Sequence, residues 1–387
     1  MTPWDAVVVG AGPAGSATAL LLARAGVRVL LLDRERFPRD KPCSEYLSPE
    51  STRVLERLGG GVAAAVAAAA PARLRGMKVV APSGASVVGH FAGRFSYALP
   101  RTTFDTILRR AAEEAGAEVH ERVKVDDLLY EGGAVGGVVA RNAGNGKRET
   151  CRARVVVGAD GLRSVVARRL GVVRTSPPRR VAFAAHVADV AGVGDVGEMH
   201  VGSMGYVGLG PIGGGVTTLA LVLPLRAVRR HGPPRFFDAL ERFPGLAGRV
   251  DPRRLVRDVL GTGPFARWSR RPVARGALLV GDAADFFDPF TGQGIYSALR
   301  GAELAAACLL SPVGLRAYAR ARRREFRGKW LLERLIALGV GWPALVERTV
   351  ARLARRPELA DLLVGATGNC VPARAVLRPG VLARLLW

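Results

Sequence analysis

The amino-acid sequence predicts an α/β protein with a Rossmann-type parallel-sheet domain, an inserted α+β domain built on an antiparallel sheet, and a helical C-terminal region. Three observations predict this organisation: a strand–turn–helix–strand pattern over residues 5–33, strand-like runs separated by Gly and Pro over residues 181–225, and a largely helical tail over residues 311–387. With 49% apolar and 23% charged residues, the chain of 387 residues has the composition of a globular protein. Disordered, collagen-like and coiled-coil chains are therefore excluded.

The first element is a nucleotide-binding unit. An apolar strand at residues 5–9 leads into the turn Gly10-Ala11-Gly12-Pro13-Ala14-Gly15, a helix follows over residues 16–24, and a second apolar strand at residues 27–32 ends in Asp33. Continuous apolar strands of this kind are typical of a parallel sheet that is covered on both faces.

The glycine spacing in this turn is the G-x-G-x-x-G pattern of dinucleotide-binding proteins. Gly10 permits the tight turn, Gly12 lets the backbone approach a pyrophosphate, and Gly15 lets the helix pack against the strand. The helix N-terminus offers free N–H groups to the phosphates, and Asp33 lies where a carboxylate accepts hydrogen bonds from ribose hydroxyls. These residues alone allow either NAD or FAD.

The later elements follow in order along the chain. A helix starts at Ser48-Pro49, with Ser48 as N-cap, because proline is well tolerated at the first helical position. The other predicted elements are strands over residues 77–99, a helix over 104–114, strands at 135–140 and 153–157, strands over 181–225, a helix over 235–248, a strand at 277–280 and a helix over 292–310.

Charge and cysteine usage limit the partners. The net charge of +24 indicates either an anionic partner or a solvated basic surface that reflects an arginine-rich composition, and no nucleic-acid-binding motif is present. The four cysteines are far apart and the five histidines show no ligand spacing, so we predict no disulfide framework and no metal.

The first strand leaves no room for a signal peptide, so a cytoplasmic protein is expected. The uncharged stretch at 199–225 contains Gly and Pro and is predicted to form strand–turn–strand rather than a membrane span.

Two further motifs decide between the dinucleotides. From Val155 the chain reads V-V-V-G-A-D-G-L-R-S, and from Leu278 it reads L-L-V-G-D-A-A-D-F-F-D-P-F-T-G-Q-G-I. Together with the first turn, these motifs resemble FAD-dependent oxidoreductases of the p-hydroxybenzoate hydroxylase-like and geranylgeranyl reductase-like family over roughly residues 3–310. The resemblance implies an FAD-binding Rossmann-type (glutathione reductase-like) domain at 1–75, 100–180 and 265–310, a substrate domain at 76–99 and 181–264, and a C-terminal helical region at 311–387.

The resemblance also implies a set of cofactor-binding residues. Asp160 and Gly161 are expected near the ribose and pyrophosphate, Asp282 at the ribitol, and Arg101 along the cofactor. The Gly292–Ile295 segment is expected to aim a helix N-terminus at the isoalloxazine ring, where reduced flavin carries negative charge. The full implied set is Gly10, Gly12, Pro13, Ala14, Gly15, Asp33, Arg34, Cys43, Arg101, Asp160, Gly161, Gly281, Asp282, Pro289, Gly292, Gln293, Gly294 and Ile295.

Cys43 is the candidate catalytic residue. The segment Lys41-Pro42-Cys43 resembles the K-x-C-G segment of geranylgeranyl reductases, although Ser44 replaces the glycine. The resemblance implies that Cys43 tunes the flavin or protonates a substrate carbon. The alternative is a small packing residue beside the cofactor.

The departures from the family patterns leave the reaction open. Asp285 stands where many aromatic hydroxylases carry His, the segment Tyr206–Pro211 lacks the Trp and Phe of the reductases, and no W-x-W segment of a flavin halogenase occurs. The first expectation is an NAD(P)H-dependent monooxygenase that hydroxylates or epoxidises an aromatic, polyketide or isoprenoid substrate through a flavin C4a-hydroperoxide. The alternative is a flavin-dependent reductase of C=C bonds in a prenyl chain or another unsaturated lipid. A non-catalytic flavoprotein or metabolite-binding protein is the third hypothesis.

The expected partners are small molecules. Only one strong G-x-G-x-x-G is present, so NADH or NADPH is expected as a transient reductant, with the choice between them open. We expect an apolar substrate and no nucleic acid. The basic tail, which contains Trp330, Trp342 and Trp387, is expected either to contact a membrane peripherally or to pack as a helical lid on the main domain. The oligomeric state is not predicted.

Overall fold

The computed structural model describes residues 3–144, 146–312 and 314–386; Trp387, one of the tryptophans expected in the basic tail, lies outside them. The strands are β1 (Trp4–Val9), β2 (Val29–Leu32), β3 (Tyr46–Leu47), β4 (Ala72–Leu74), β5 (Gly76–Val80), β6 (Ser86–His90), β7 (Ser96–Ala98), β8 (Glu118–His120), β9 (Val123–Glu131), β10 (Ala134–Asn142), β11 (Arg148–Gly158), β12 (Val173–Thr175), β13 (Arg180–Ala188), β14 (Val196–Gly202), β15 (Gly205–Gly213), β16 (Val216–Pro224), β17 (Leu255–Thr262), β18 (Arg267–Ser269), β19 (Val273–Ala274), β20 (Ala277–Leu279) and β21 (Asp285–Phe286).

The α-helices are α1 (Pro13–Arg24), α2 (Pro49–Leu58), α3 (Val62–Ala68), α4 (Arg101–Glu114), α5 (Val165–Arg169), α6 (Leu225–His231), α7 (Phe236–Leu240), α8 (Gly294–Leu309), α9 (Leu315–Gly339), α10 (Pro343–Ala354), α11 (Pro357–Thr367), α12 (Ala373–Val376) and α13 (Pro379–Leu386). Short 3-10 turns lie at Pro252–Arg254, Gly281–Ala283 and Pro289–Thr291.

The main sheet has a parallel centre, as the sequence predicts. Its order is β19-β20-β11-β1-β2-β8, in which β20, β11, β1, β2 and β8 run parallel and β19 is antiparallel at the edge. The first half of β11 pairs antiparallel with β10, which in turn pairs with β9. Because the carboxyl ends of parallel strands meet at one edge, the three predicted motifs that follow β1, β11 and β20 are brought together there.

The second sheet has the order β17-β13-β16-β15-β14-β5-β6. Its pairs are antiparallel except β14 with β5, which is parallel. The predicted strand–turn–strand at 199–225 is confirmed, since β15 and β16 are joined through Gly213, Gly214 and Gly215, all at positive φ. Among the described helices, none combines the length and the apolar character that crossing a bilayer requires.

The C-terminal region is helical, as the sequence predicts. The long helix α9 buries Tyr318, Phe326 and Leu332 against the rest of the chain. The Tyr318 hydroxyl donates a hydrogen bond of 2.9 Å to the carbonyl oxygen of Leu279 on β20, which ties α9 to the main sheet. Helices α10 and α11 pack against β6 at the edge of the second sheet.

The helix predicted over residues 235–248 is wrong for most of its length. Only α7 is helical, and turns follow it to Arg249. Pro244 lies inside the predicted span, where it lacks the N–H that a helix needs, and Gly248 adopts a φ of +70°. Phe243 and Leu246 are nonetheless fully buried, so the apolar pattern reflects burial of a turn segment rather than of a helix.

Glu198 on β14 stabilises the second sheet through a buried ion pair. Its two carboxylate oxygens accept hydrogen bonds of 2.8 Å from the Arg249 guanidinium, and His200 Nε2 lies 2.7 Å from Oε2. Burial alone would raise the pKa of the Glu198 carboxyl, but the hydrogen bonds from Arg249 and His200 lower this pKa to about 2.

We therefore predict that Glu198→Gln destabilises the protein mainly at neutral pH. In the unfolded chain this carboxyl titrates near 4.5, so its contribution is fully present above that pH and is lost as the pH falls towards 2. Glu198→Gln should lower the free energy of unfolding by about 1 to 2 kcal/mol at pH 7, after allowance for solvent screening, and by less at pH 3. Urea unfolding at both pH values measures this, with the exposed Glu114→Gln as control. An equal loss of stability at both pH values would contradict it.

Candidate functional site

A large cavity lies at the carboxyl edge of the main sheet. Its volume is about 680 Å³, and its walls come from the main sheet, the second sheet and the C-terminal helices. Of the predicted site residues, eleven line it: Gly12, Pro13, Ala14, Cys43, Arg101, Gly161, Asp282, Pro289, Gly292, Gly294 and Ile295. Another six lie beside it in the same turns, namely Gly10, Gly15, Asp33, Asp160, Gly281 and Gln293. Arg34 is different, because its side chain is 68% exposed and pairs with Glu35.

One end of the cavity is the turn between β1 and α1. A Cβ on Gly15 would lie 1.7 Å from the Gly10 carbonyl oxygen, so only glycine allows this packing. Helix α1 starts after Gly12 without a side-chain cap, so its first N–H groups face the cavity unpaired. A Cβ on Gly12 would meet only Arg39 Nη2, at 3.4 Å. Free helix N–H groups beside a guanidinium form a cradle for an anion.

Asp33 lies at the end of β2, as predicted, and its carboxylate also binds the backbone of the neighbouring turn. Its Oδ2 accepts a hydrogen bond of 2.6 Å from the Ala11 N–H, and its Oδ1 accepts one of 2.9 Å from the Glu35 N–H. The buried carboxylate therefore fixes the glycine-rich turn against the end of β2.

Two basic side chains, Lys41 and Arg101, line the cavity, and Arg39 lies beside Arg101. Arg101 on α4 binds Asp105 with two hydrogen bonds, of 2.6 and 2.7 Å, and Arg39 Nη2 lies 3.1 Å from the same carboxylate. A Cβ on Gly161 would lie 3.4 Å from Lys41 Nζ. Burial lowers the pKa of the Lys41 ammonium, although the nearby Asp282 opposes this.

The two acidic residues of the later motifs, Asp160 and Asp282, are half-buried. Burial raises the pKa of the Asp282 carboxyl, although Lys41 and Arg101 oppose this. The pKa of the Asp160 carboxyl is also raised by burial. Its Oδ2 accepts a hydrogen bond of 2.6 Å from the Val165 N–H, and its buried Oδ1 has no hydrogen-bond partner.

Cys43 lies in the cavity wall and interacts with two donors. The Glu45 N–H donates to Cys43 Sγ over 3.3 Å. Burial alone would lower the pKa of the Arg101 guanidinium, but Asp105 and the Cys43 thiol raise it above its usual value. The Thr218 hydroxyl donates to the Cys43 carbonyl oxygen at 3.4 Å.

Glu45 is a residue that the sequence analysis missed. It is fully buried at a φ of +59°, a conformation that non-glycine residues rarely adopt. Its carboxylate accepts a hydrogen bond of 3.3 Å from the Arg101 N–H, lies 2.6 Å from His186 Nε2, and lies 3.4 Å from Arg257 Nη1. It thereby fixes the Cys43 loop to α4, β13 and β17. No motif in the sequence signals this role.

Another part of the cavity wall comes from the segment 289–295. Gly292 has a φ of +64°, and a Cβ there would lie 2.7 Å from the Tyr46 ring. Helix α8 begins at Gly294, two residues after the predicted start, because Gly292 adopts a left-handed conformation after the 3-10 turn. The Thr291 hydroxyl and the Gln293 side-chain amide nitrogen are buried without a hydrogen-bond partner, which is unusual for polar groups and indicates a place for a polar ligand.

A buried polar network supports this segment. Asp288 accepts a hydrogen bond of 2.5 Å from the Tyr206 hydroxyl and pairs with Arg180 at 2.5 Å. The Asp288 N–H donates to Glu333 Oε1 at 3.0 Å. Burial raises the pKa of the Glu333 carboxyl to about 8. Tyr206 also lines the cavity, so this network connects its wall with α9.

Beyond these polar residues the cavity is apolar. Met77, Val79, Met199, Val201 and Val222 of the second sheet form one side of it. The other side comes from the C-terminal helices, with Leu332, Ile336, Val346, Val350, Val364 and Leu385 among its residues. The cavity is therefore polar near Cys43 and the 289–295 segment and apolar beyond them.

Comparison with known proteins identifies relatives of this chain. A family model described as FAD binding domain matches residues 4–320. The digeranylgeranylglycerophospholipid reductase of Methanosarcina acetivorans is 30% identical over 314 residues, which cover 78% of this chain and 74% of that protein. The menaquinone reductase of Mycolicibacterium smegmatis is 30% identical over 394 aligned residues, which cover 95% of this chain and 92% of that protein.

Solved structures share the fold. A geranylgeranyl bacteriochlorophyll reductase-like protein from Thermoplasma acidophilum has a TM-score of 0.78 at 21% identity, covering 100% of this chain and 99% of that one. A flavin-dependent brominase has a TM-score of 0.83 at 22% identity, covering 99% of both chains. At these sequence identities, the similarity shows a shared fold.

Proposed function

The chain belongs to the FAD-binding domain family of flavin-dependent oxidoreductases, and from this premise we propose that it reduces carbon–carbon double bonds in the isoprenoid chain of a lipid. The observation that carries the proposal is the long apolar cavity, which continues from Cys43 to the C-terminal helices. Two relatives that are 30% identical are named digeranylgeranylglycerophospholipid reductase and menaquinone reductase, and the first name denotes a lipid with geranylgeranyl chains.

The residues at the carboxyl edge of the main sheet fit FAD. The unpaired N–H groups of α1, with Arg39, would hold the pyrophosphate. The unpartnered Thr291 and Gln293 side chains, with the N-terminus of α8, would meet the polar edge of the isoalloxazine ring. FAD held there and reduced by NADH or NADPH would supply a hydride to one carbon of the double bond.

The chain itself then has to supply a proton to the adjacent carbon, and we assign this role to Cys43. The S–H bond breaks and a C–H bond forms, so that the substrate gains one hydride and one proton and the nicotinamide is oxidised. The Glu45 N–H, which donates to the sulfur, would remain hydrogen-bonded to the thiolate. The apolar walls exclude water from the reacting carbons.

Anaerobic turnover tests this proposal against the monooxygenase that the sequence analysis expected first. The FAD-loaded protein is incubated under argon with NADH or NADPH and a geranylgeranyl-containing phospholipid, and the lipid is analysed by mass spectrometry. We expect a gain of two hydrogen atoms per reduced double bond. Oxygen-dependent incorporation of an oxygen atom, with no product under argon, would overturn the proposal in favour of monooxygenation.

The part of the cavity formed by α10 should limit the length of the substrate. Thr349 lines the cavity, whereas Ala351 on the same helix is exposed and does not. Thr349→Trp fills apolar space, so kcat/KM for a long-chain substrate should fall about tenfold or more. Turnover of a short-chain analogue and the flavin content should be unchanged.

The matched control is Ala351→Trp, which adds the same side chain outside the cavity. Comparing kcat/KM for the two chain lengths in both variants measures the effect. If Thr349→Trp and Ala351→Trp behave alike with the long substrate, the lipid chain does not reach α10.

A further inference from the structure

One face of α9 is exposed along nearly its whole length. Arg320, Arg324 and Arg327 are followed by Leu331, Leu335 and Leu338 at steps of three or four residues, so all six lie on the same side of the helix. Trp342 follows three residues after the last residue of the helix, Gly339. We call the surface formed by these seven residues the docking face.

The apolar end of the docking face is unusually open to solvent. Leu331 is 50% exposed, Leu335 42%, Leu338 54% and Trp342 67%. These are among the few large apolar residues that the described part of the chain leaves exposed. A contiguous group of this kind marks a contact surface for an apolar partner.

The basic end of the docking face carries uncompensated charge. Arg320, Arg324 and Arg327 are exposed, and within the described residues none of them forms an ion pair. The acidic residues of α9 lie on its other side, where Glu325 contacts Lys329 and Arg300 and Glu333 accepts a hydrogen bond from the Asp288 N–H. The helix therefore directs its carboxylates inward and its unpaired guanidiniums outward.

The docking face also coincides with the opening of the cavity. Leu335, Leu338 and Trp342 line the cavity, and among its described wall residues they are the ones that are exposed. The apolar end of the docking face is therefore the rim through which the cavity reaches the surface.

We propose that the docking face binds an anionic membrane surface, with the arginines at the headgroups and Leu331, Leu335, Leu338 and Trp342 at the acyl boundary. An amphipathic helix with basic residues beside leucine and tryptophan is suited to this position. A nucleic acid would match the arginines and leave the leucines in water. A second copy would bring the same positive charge, because residues 311–387 carry 15 basic and 5 acidic residues. The passage of a lipid chain from the bilayer into the cavity rests on the proposed function, whereas the binding itself does not.

Vesicle sedimentation with the FAD-loaded full chain tests the proposal. We expect binding to vesicles of phosphatidylcholine mixed with phosphatidylglycerol, and much weaker binding to phosphatidylcholine alone or at high salt. Arg320→Glu/Arg324→Glu/Arg327→Glu should weaken binding about tenfold or more, and Leu331→Ser, which alters a leucine outside the cavity wall, should also weaken it.

The matched control reverses the same number of charges elsewhere. Arg226, Arg229 and Arg230 are exposed on α6, and their triple replacement by Glu should leave most of the binding intact. Equal losses in the two triple variants, no binding of the unaltered protein, or self-association through α9 in place of vesicle binding would each overturn the proposal.

Activity separates this proposal from the proposed function. Compared with the unaltered protein, the α9 triple variant should reduce vesicle-embedded lipid more slowly and detergent-dispersed lipid at the normal rate. If the variant reduced both forms of the lipid at the normal rate, the docking role would be overturned. Vesicle binding without reduction of any lipid would refute the proposed function and leave the docking face supported.

Discussion

Gly12→Val should give a folded protein that no longer retains FAD. The backbone at Gly12 has a φ of −75°, which valine adopts without strain, and a Cβ there meets only the end of the Arg39 side chain. The valine methyl groups would fill the space beside the free N–H groups of α1, where the pyrophosphate has to approach. FAD affinity should fall about tenfold or more, because a displaced phosphate loses several charge-assisted hydrogen bonds.

The flavin absorbance of the purified protein, normalised to chain concentration, measures this effect, and circular dichroism verifies folding. Gly194→Val is the control, because a Cβ at exposed Gly194 would meet no atom within 4 Å. Gly15→Ala provides the contrast, since its Cβ would overlap the Gly10 carbonyl oxygen and should prevent folding itself. A Gly12→Val protein with the full flavin content would show that the cofactor does not approach this turn.

Cys43→Ala should abolish reduction of the double bond and leave reduction of FAD by the nicotinamide intact. Without the thiol, no residue assigned here delivers the proton, and loss of a positioned acid costs about a hundredfold to ten-thousandfold in rate. Stopped-flow absorbance under argon separates the two half-reactions: flavin bleaching by NADPH should keep its rate, and reoxidation by the unsaturated lipid should be lost.

Cys151→Ala is the control for this experiment. Cys151 is a half-buried free thiol on β11 that does not line the cavity, so its removal should change neither half-reaction. If Cys43→Ala reoxidises at the normal rate with lipid, Cys43 is a packing residue, and the proton comes from another group.

The parts of the fold that could be predicted from sequence depend on local patterns. The unit from β1 to β2 can be recognised from two apolar runs and from the spacing of Gly10, Gly12 and Gly15. All three glycines lie in one turn, so the signal is local in the sequence. The turn at Gly213–Gly215 is signalled by three consecutive glycines, and it separates two strands as expected. The helix predicted over residues 235–248 failed because buried phenylalanines and leucines have the same pattern in a compact turn segment as in a short helix.

The parts of the site that could not be predicted depend on distant contacts. Glu45 is 141 positions from His186 and 212 from Arg257, and no periodicity relates residues so far apart. Lys41 lines the cavity from a loop, and Arg39 of the same loop pairs with Asp105, which is 66 positions further along the chain. The parallel pairing of β14 with β5 likewise joins strands that are separated by more than a hundred residues.

The buried Arg180 side chain affects how a bulky ligand can enter the cavity. Its guanidinium pairs with Asp288 and also donates a hydrogen bond of 2.7 Å to the Ala337 carbonyl oxygen near the end of α9. Shifting that helix end would break a contact of a buried charge, which is costly. The entrance is therefore expected to widen through rotamer changes of Leu335, Leu338 and Trp342 while the backbone of the helix stays in place. The rotamers of these side chains, rather than movement of the helix, would then limit the width of the molecule that enters the cavity.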